Sequence, residues 1–335
     1  MRIATYEHAG SPHLGLLGER GVRPLPDDLT MLGLLAAGQA GCRVAAAAAG
    51  NEIGLGEVRL LPPLHPPSMR DFVSFEAHVA GVRRSVEGKE GIPESWYEQP
   101  TFMFASPHAV VGANDLVPIP AGCKLLDYEL EVAAVIGQDG RDLTPEQAAG
   151  HIAGYTILND WSARDLQSRE MRSGLGPAKG KDFASTLGPC IVTADELEPH
   201  QAGDRLDLEM TVLVNSVRMG GDRLTSMAWS FAELVAYASR SAWVKAGDVI
   251  ASGTCSGGSL AEAWGRTGRT GRTGGSDSLD PPPLKPGDVV TMTVEGIGTI
   301  SNEVVEGPPE ACPIPRARRL PRQDRQDRQD RQVRR

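Results

Sequence analysis

The 335-residue sequence predicts an α+β protein in which β-structure dominates, folded as a mostly antiparallel or mixed sheet. Three observations carry that expectation. From about residue 68 to 310 the chain runs in short apolar and β-branched stretches separated by Gly and Pro turns. Helical signals in that span are confined to "TPEQAAGHIAGY", "SARDLQSREM" and "MAWSFAELVAYASRS". They do not alternate with strands as a doubly wound sheet requires.

Residues 1–67 read as a small N-terminal α/β unit. "RIATY" and "HLGLLG" form a hairpin pattern, alanine-rich 28–50 a helix, and "VRLLP" a closing strand. The proline-rich "LLPPLHPPSMR" is its linker. Residues 68–310 then make a second, larger domain. "RRSVEGKEGIPESWYEQPTF" (83–102) is polar until Trp96–Tyr97, and suits either a mobile lid or a surface loop with an aromatic anchor. "LLDYELEVAAVIG" (125–137) is a strand, Thr144 with Pro145 starts a helix, and "GYTILNDWSARDLQ" (154–167) passes from strand to helix. Two segments lack the apolar content to bury themselves and are expected to be disordered. One is an insertion at 264–283 around "GRTGRTGRT", the other the tail 311–335 with "RQDRQDRQD".

A net charge of −9 argues against a nucleic-acid binder. Residues 314–335 carry nine Arg and three Asp, a net +6, which leaves −15 on residues 1–313. Cys42, Cys123, Cys190, Cys255 and Cys312 are odd in number and form no CxxC pair, which suits reduced thiols in a cytoplasm. "MRIATYEHAG" lacks the apolar core of a signal peptide, and "MLGLLAAGQAGCRVAAAAAG" is too interrupted to span a membrane.

Within the strand at 125–137, Glu129 and Glu131 stand two residues apart, so both carboxylates project from one face. A strand with a wet face explains them equally simply. Asp160 sits where a strand becomes a helix, Asp71 precedes His78 by seven residues, and each has a bland role as a cap or a core polar group. Gathered together without cysteines, such carboxylates make a hard oxygen site for Mg²⁺, with Mn²⁺ or Ca²⁺ as alternatives. A cation would also relieve the repulsion between them. "GPAKGKDF" lacks the GxxxxGK[ST] spacing of a phosphate loop, and "GTCSGG" is no dinucleotide fingerprint.

"RDFVSFEAH", "LLDYELEVAAVIG", "LNDWSARDLQ", "KGKDFASTLGP", "SGTCSGGSLAE" and "LKPGDVVTMTVEGIGTISNEV" occur in one order over 68–307. In these motifs the chain resembles the fumarylacetoacetate hydrolase family, and residues 1–67 resemble its small leading domain. The resemblance implies a fumarylacetoacetase-type mixed β-roll catalytic domain, usually in a homodimer. It implies metal ligation by Asp71, Glu129, Glu131 and Asp160, with His78 as general base and Glu262 as the acid that orients it. Arg164, Gln167 and Lys181 match polar groups around the substrate, and Thr254 a loop that closes over it. Met103 stands where several members place a substrate-facing tyrosine, and Ser185 where threonine is common; the former removes a hydroxyl donor.

The activity that the resemblance implies is that of a metal-dependent hydrolase cleaving a C–C bond in a small diketo acid, of fumarylacetoacetate or acylpyruvate type. A hard ion would polarise a carbonyl and stabilise an enolate leaving group, while His78 activates water. A decarboxylase, isomerase or hydratase of 2-oxo acids on the same scaffold is the chemical alternative. A non-catalytic binding protein working through its Arg-rich tail is the remote one. No nucleic-acid or membrane partner is expected.

Overall fold

The computed structural model describes residues 1–266, 279–309 and 312–318. Most of the 264–283 insertion and most of the tail beyond 311 lie outside the described residues, so their expected disorder does too. Trp264–Arg266, at the start of that insertion, are helical instead.

The dominant feature is a twelve-stranded mixed sheet. Its order is Ile53–Gly54, Gly21–Pro24, Ser11–Leu17, Arg2–His8, Ser185–Thr193, Ile152–Asp160, Leu130–Ile136, Val249–Ala251, Met69–Phe72 and Phe102–Ala105. Arg59–Leu60 and Val110–Val111 pair off this path. Met69–Phe72 runs parallel to Val249–Ala251, whereas Leu130–Ile136 is antiparallel to both its neighbours. The N-terminal unit is hydrogen-bonded into the same sheet through Arg2↔Val192 and Ile3↔Ile191. A second sheet of five strands contains Val217–Arg223, Glu209–Val214, Val289–Val294, Gly298–Val305 and Val117–Pro118.

Seven α-helices are described. α1 (Met31–Ala47) opens on Thr30, whose hydroxyl accepts from the Gly33 N–H at 3.1 Å, and it breaks at Gly38, where φ is +63°. α2 (Glu76–Val82) and α3 (Glu94–Glu98) flank a five-residue π-type turn, Arg83–Glu87, that ends on left-handed Gly88. α4 (Pro145–Ala149) has the Thr144–Gln147 capping box; only these five residues of the stretch beginning at Thr144 are helical, because strand resumes at Ile152. α5 (Arg164–Met171), α6 (Phe231–Ala238) and α7 (Leu260–Arg266) complete the set. Three of these, α2, α3 and α7, fall where the sequence suggested no helix. No helix among the described residues is long and apolar enough to cross a membrane.

Leu130–Ile136 is buried along its whole length, as a central strand covered on both faces must be. Ala133 and Val135 pack with Leu34 and Leu35 of α1, and with Leu158, Leu187 and Val249 of neighbouring strands. Val132, Ala134 and Ile136 face the other way, into a core shared with Met210, Val212, Met292 and Ile300 of the second sheet. The central sheet is therefore one filling between two layers.

Candidate active site

Parity along the strands decides where the acidic side chains go. Met69, Ala133 and Leu158 all belong to the core under α1. Two residues along the same three strands stand Asp71, Glu131 and Asp160, so they emerge on that same face beyond the edge of the apolar layer. The register brings the strands level: Glu131 lies opposite Leu158, and Ala251 lies between Ala133 and Asp71. Met103 pairs directly with Asp71 and so shares its face.

One ligand atom from each of Asp71, Glu131 and Asp160 lies within 4.8 Å of the other two. All three residues are buried, Glu131 and Asp160 at no more than 1% exposure. Asp71 Oδ1, Glu131 Oε2 and Asp160 Oδ1 have no hydrogen-bond partner. A buried carboxylate oxygen without a donor is costly, and three of them on neighbouring residues are costlier still. Burial, and next the charge of Asp160, push the Asp71 carboxyl well above the usual carboxylate range. Burial and the neighbouring Asp71 do the same to Glu131. These donors fit a hard divalent cation such as Mg²⁺, Mn²⁺ or Ca²⁺, whose charge would satisfy all three at once.

Glu129 is buried beside this triad but differently engaged. Its Oε1 accepts from Arg164 Nη2 at 2.6 Å, and its Oε2 from Lys181 Nζ. Lys181 Nζ also donates to Asp160 Oδ2 at 2.5 Å. Burial alone would raise the Glu129 pKa, but Arg164 and then Lys181 outweigh it and hold the group well below the usual range. Both cations are in turn held above their ordinary values against the opposing effect of burial. Gln167 Oε1 accepts from Arg164 Nη1 at 3.1 Å, which leaves its amide nitrogen as a donor. Thr254 Oγ1 donates to Glu131 Oε1 at 3.2 Å.

His78 lies on α2 between two carboxylates. Its Nε2 is 3.4 Å from Glu129 Oε1, and its Nδ1 is 3.8 Å from Glu262 Oε2. The longer separation leaves Nδ1 without a hydrogen bond. Glu262 is meanwhile held by the Gly257 N–H at 2.6 Å and by Arg266 Nη1 at 2.7 Å. Burial opposes charge on the imidazole, yet Glu129 and Glu262 together keep its pKa above the ordinary histidine value. Close crossing of α2 and α7 makes this pairing geometrically available. A Cβ on Gly81 would come within 2.5 Å of Glu262 Cγ, and one on Gly265 within 2.2 Å of the Gly81 carbonyl.

The residues singled out from sequence are thus joined by these contacts into one largely buried cluster, with Glu129 turned to cations and Glu262 just outside hydrogen-bond range of His78. The sequence reading missed Asp127. It is fully buried and accepts from Arg164 Nε at 2.8 Å, and from the backbone N–H groups of Leu260 and Ala261 at 2.8 and 3.0 Å. It thereby fixes Arg164 and the start of α7 together. The signal was present, since Asp127 extends the i, i+2 alternation of Glu129 and Glu131 by one step.

The family model described as fumarylacetoacetate (FAA) hydrolase C-terminal matches residues 68–305. Oxaloacetate tautomerase YisK of Bacillus subtilis is 32% identical over 251 residues, covering 75% of this chain and 74% of that protein. Among solved structures, a fumarylacetoacetate hydrolase from psychrophilic Exiguobacterium antarcticum superposes with a TM-score of 0.69 at 28% identity, covering 91% of this chain and 99% of that one. A 5-carboxymethyl-2-hydroxymuconate delta-isomerase from Mycobacterium smegmatis gives a TM-score of 0.65 at 27% identity, covering 91% and 100%.

Proposed function

The chain belongs to the fumarylacetoacetate hydrolase family, and on that premise we propose a divalent-metal-dependent hydrolase that cleaves a C–C bond in a small diketo acid of acylpyruvate or fumarylacetoacetate type. One observation carries this reading: the buried carboxylate triad of Asp71, Glu131 and Asp160, with its unpartnered oxygens, is connected through Lys181 and Glu129 to the imidazole of His78, which has Glu262 on its other side. An ion held by those three carboxylates, with Glu129 beside them, would supply Lewis acidity toward a substrate carbonyl.

The protein's own groups account for the remaining steps. His78, with Glu129 on its Nε2 side and Glu262 on its Nδ1 side, is the imidazole placed to take a proton from water. The resulting hydroxide adds to the acyl carbonyl carbon. The C–C bond then breaks, its electron pair passing to the departing carbon as an enolate. That carbon regains the proton from the imidazolium, so one water is consumed and a carboxylic acid and a ketone are formed. Lys181, Arg164 and the Gln167 amide are the donors available to the substrate's oxygens, and one well-aimed donor lowers a barrier by about 3 kcal/mol.

A second reading has its own support. The 3.8 Å gap between His78 Nδ1 and Glu262, with Glu262 committed to Gly257 and Arg266, leaves the water-activating pair unclosed. Keto–enol interconversion of a 2-oxo acid needs only proton transfer to and from carbon, as the name of the tautomerase relative suggests. Proton NMR of acylpyruvates, fumarylacetoacetate and oxaloacetate, each incubated with enzyme and Mg²⁺ or Mn²⁺ in D₂O, separates the two. Stoichiometric acid product is expected. Accelerated deuterium exchange without acid product would assign a tautomerase, and carbon dioxide release a decarboxylase.

A further inference from the structure

Asp127 takes no step in the proposed reaction, yet the protein binds every part of it. Its backbone is pinned first: Leu126–Asp127 pairs antiparallel with Ser162–Ala163, and the Arg164 N–H donates to the Leu125 carbonyl at 2.9 Å. Asp127 Oδ2 then accepts from Arg164 Nε at 2.8 Å and from the Ala261 N–H at 3.0 Å, with Arg164 Nη2 at 2.7 Å. Its Oδ1 accepts from the N–H groups of Tyr128 and Leu260, each at 2.8 Å. With 0% exposure and all these donors supplied by the protein, Asp127 has no surface to offer a substrate.

Two parts of the site depend on those bonds. The first N–H groups of a helix have no partner within it. In α7 those of Leu260 and Ala261 go to Asp127, and that of Glu262 goes to Ser259 Oγ at 3.3 Å. The other end of α7 is stopped at Gly265, where a Cβ would lie 2.2 Å from the Gly81 carbonyl. Asp127 thus sets the free end of a seven-residue helix from which Glu262 faces His78 Nδ1 across 3.8 Å. A shift of about 0.6 Å along that line is the difference between a hydrogen bond and none. On its other side the same carboxylate holds the Arg164 guanidinium, whose Nη1 meets Gln167 Oε1 and whose Nη2 meets Glu129 Oε1.

Resting on that reading of the site, we infer that Asp127 is a positioning residue for the proposed reaction: one carboxylate aligns α7, and with it Glu262, to the same reference as the Arg164 guanidinium. The metal-binding triad is outside its reach, since Asp71, Glu131 and Asp160 are not among its hydrogen-bond partners.

Asp127→Asn in the full chain tests the assignment, because whichever way the amide lies its NH₂ group meets an N–H of α7. A kcat lower by about 10- to 100-fold is expected, the scale of a misplaced catalytic group. KM for the 2-oxo acid should rise, and Mn²⁺ affinity by calorimetry should equal the parent's. In a Glu262→Gln background the same change should lower kcat little further, because coupled residues do not add. A purely structural role would lower the melting temperature alone, so parental kcat and KM in the folded variant overturn the inference, as does full additivity with Glu262→Gln. Hydrogen exchange over residues 257–266 needs no substrate. The Leu260 and Ala261 amides should exchange about tenfold faster in the variant, with Leu130–Ile136 unchanged; unchanged exchange in α7 also overturns the inference. Absence of parental turnover on every candidate acid would instead defeat the proposed function and leave exchange to decide the role of Asp127. Asp127→Glu keeps the charge but moves it by one methylene, and it serves the same measurements if the amide variant does not fold.

Discussion

Glu131 shows what an isolated charge in this cluster requires. Its Oε1 has Thr254, its Oε2 has nothing, and Asp71 and Asp160 crowd it from two sides. In the folded, metal-free protein these carboxyls hold protons that the unfolded chain, with values near 4, would release. More protons are then bound in the native than in the unfolded state, so stability falls as pH rises from that range through the raised values. A cation must displace the same protons, and its affinity rises with pH through the same window. Mn²⁺ calorimetry is expected to give tighter binding at pH 8 than at pH 6; a flat profile would contradict ligation by protonated acids. Glu131→Gln should abolish that binding at either pH. His78→Ala should keep it while lowering turnover by about 10²–10⁴-fold, the usual worth of a general base. Equal losses of turnover and metal affinity would instead make His78 part of the ion's environment. At this scale the acidic pattern was legible, because strand parity alone groups Glu129 with Glu131. Asp127 continues that alternation, but its role was not legible, because it depends on Arg164 and on the N–H groups of Leu260 and Ala261, more than 130 residues away for the latter pair.

At the scale of elements, α2 and α7 explain both what the sequence concealed and how the base is placed. Each has seven residues, and α2 starts at Phe75 without a side-chain cap. Helices this short are not stable alone and show too few turns for an apolar period to register. They persist because they pack on each other, which a linear pattern does not encode. Their contact depends on Gly81 and Gly265, where backbone meets backbone too closely for a methyl group. Gly81→Ala should therefore force the helices apart, at a cost of about 1–3 kcal/mol for overpacking, and widen the His78–Glu262 gap. The expected result is a lower melting temperature together with a loss of turnover, with Mn²⁺ affinity retained because the strand-borne carboxylates do not move. If turnover is unaffected, the pairing of His78 with Glu262 has no catalytic role. By contrast α4 and α6 were legible in place, since Thr144–Gln147 and Ser230–Glu233 carry their capping boxes in the sequence itself.

Across the whole molecule, the hairpin and helix within residues 1–67 were legible as elements, but their dependence on the rest was not. Pairing of Arg2–His8 with Ser185–Thr193 depends on a partner almost 190 residues away, and hydrophobic alternation specifies a face without naming the neighbour. The consequence reaches the cluster. Leu34 and Leu35 of α1 cover Ala133, Val135 and Leu158, which lie on the strands that present Glu131 and Asp160. Removing residues 1–67 would expose that apolar face and leave the Ile191–Val192 end of Ser185–Thr193 as an unprotected edge, the condition under which sheets associate nonspecifically. A chain of residues 68–335 is thus expected to aggregate and to bind no Mn²⁺, although every ligand is retained. Leu34→Ala provides a graded version: it should cost about 2–5 kcal/mol of stability while leaving metal affinity intact at temperatures where the protein stays folded. A truncated chain that remained monodisperse and bound Mn²⁺ like the full chain would show that the metal-bearing strands hold their geometry without α1, and the layer beneath them would then have no part in aligning the carboxylates.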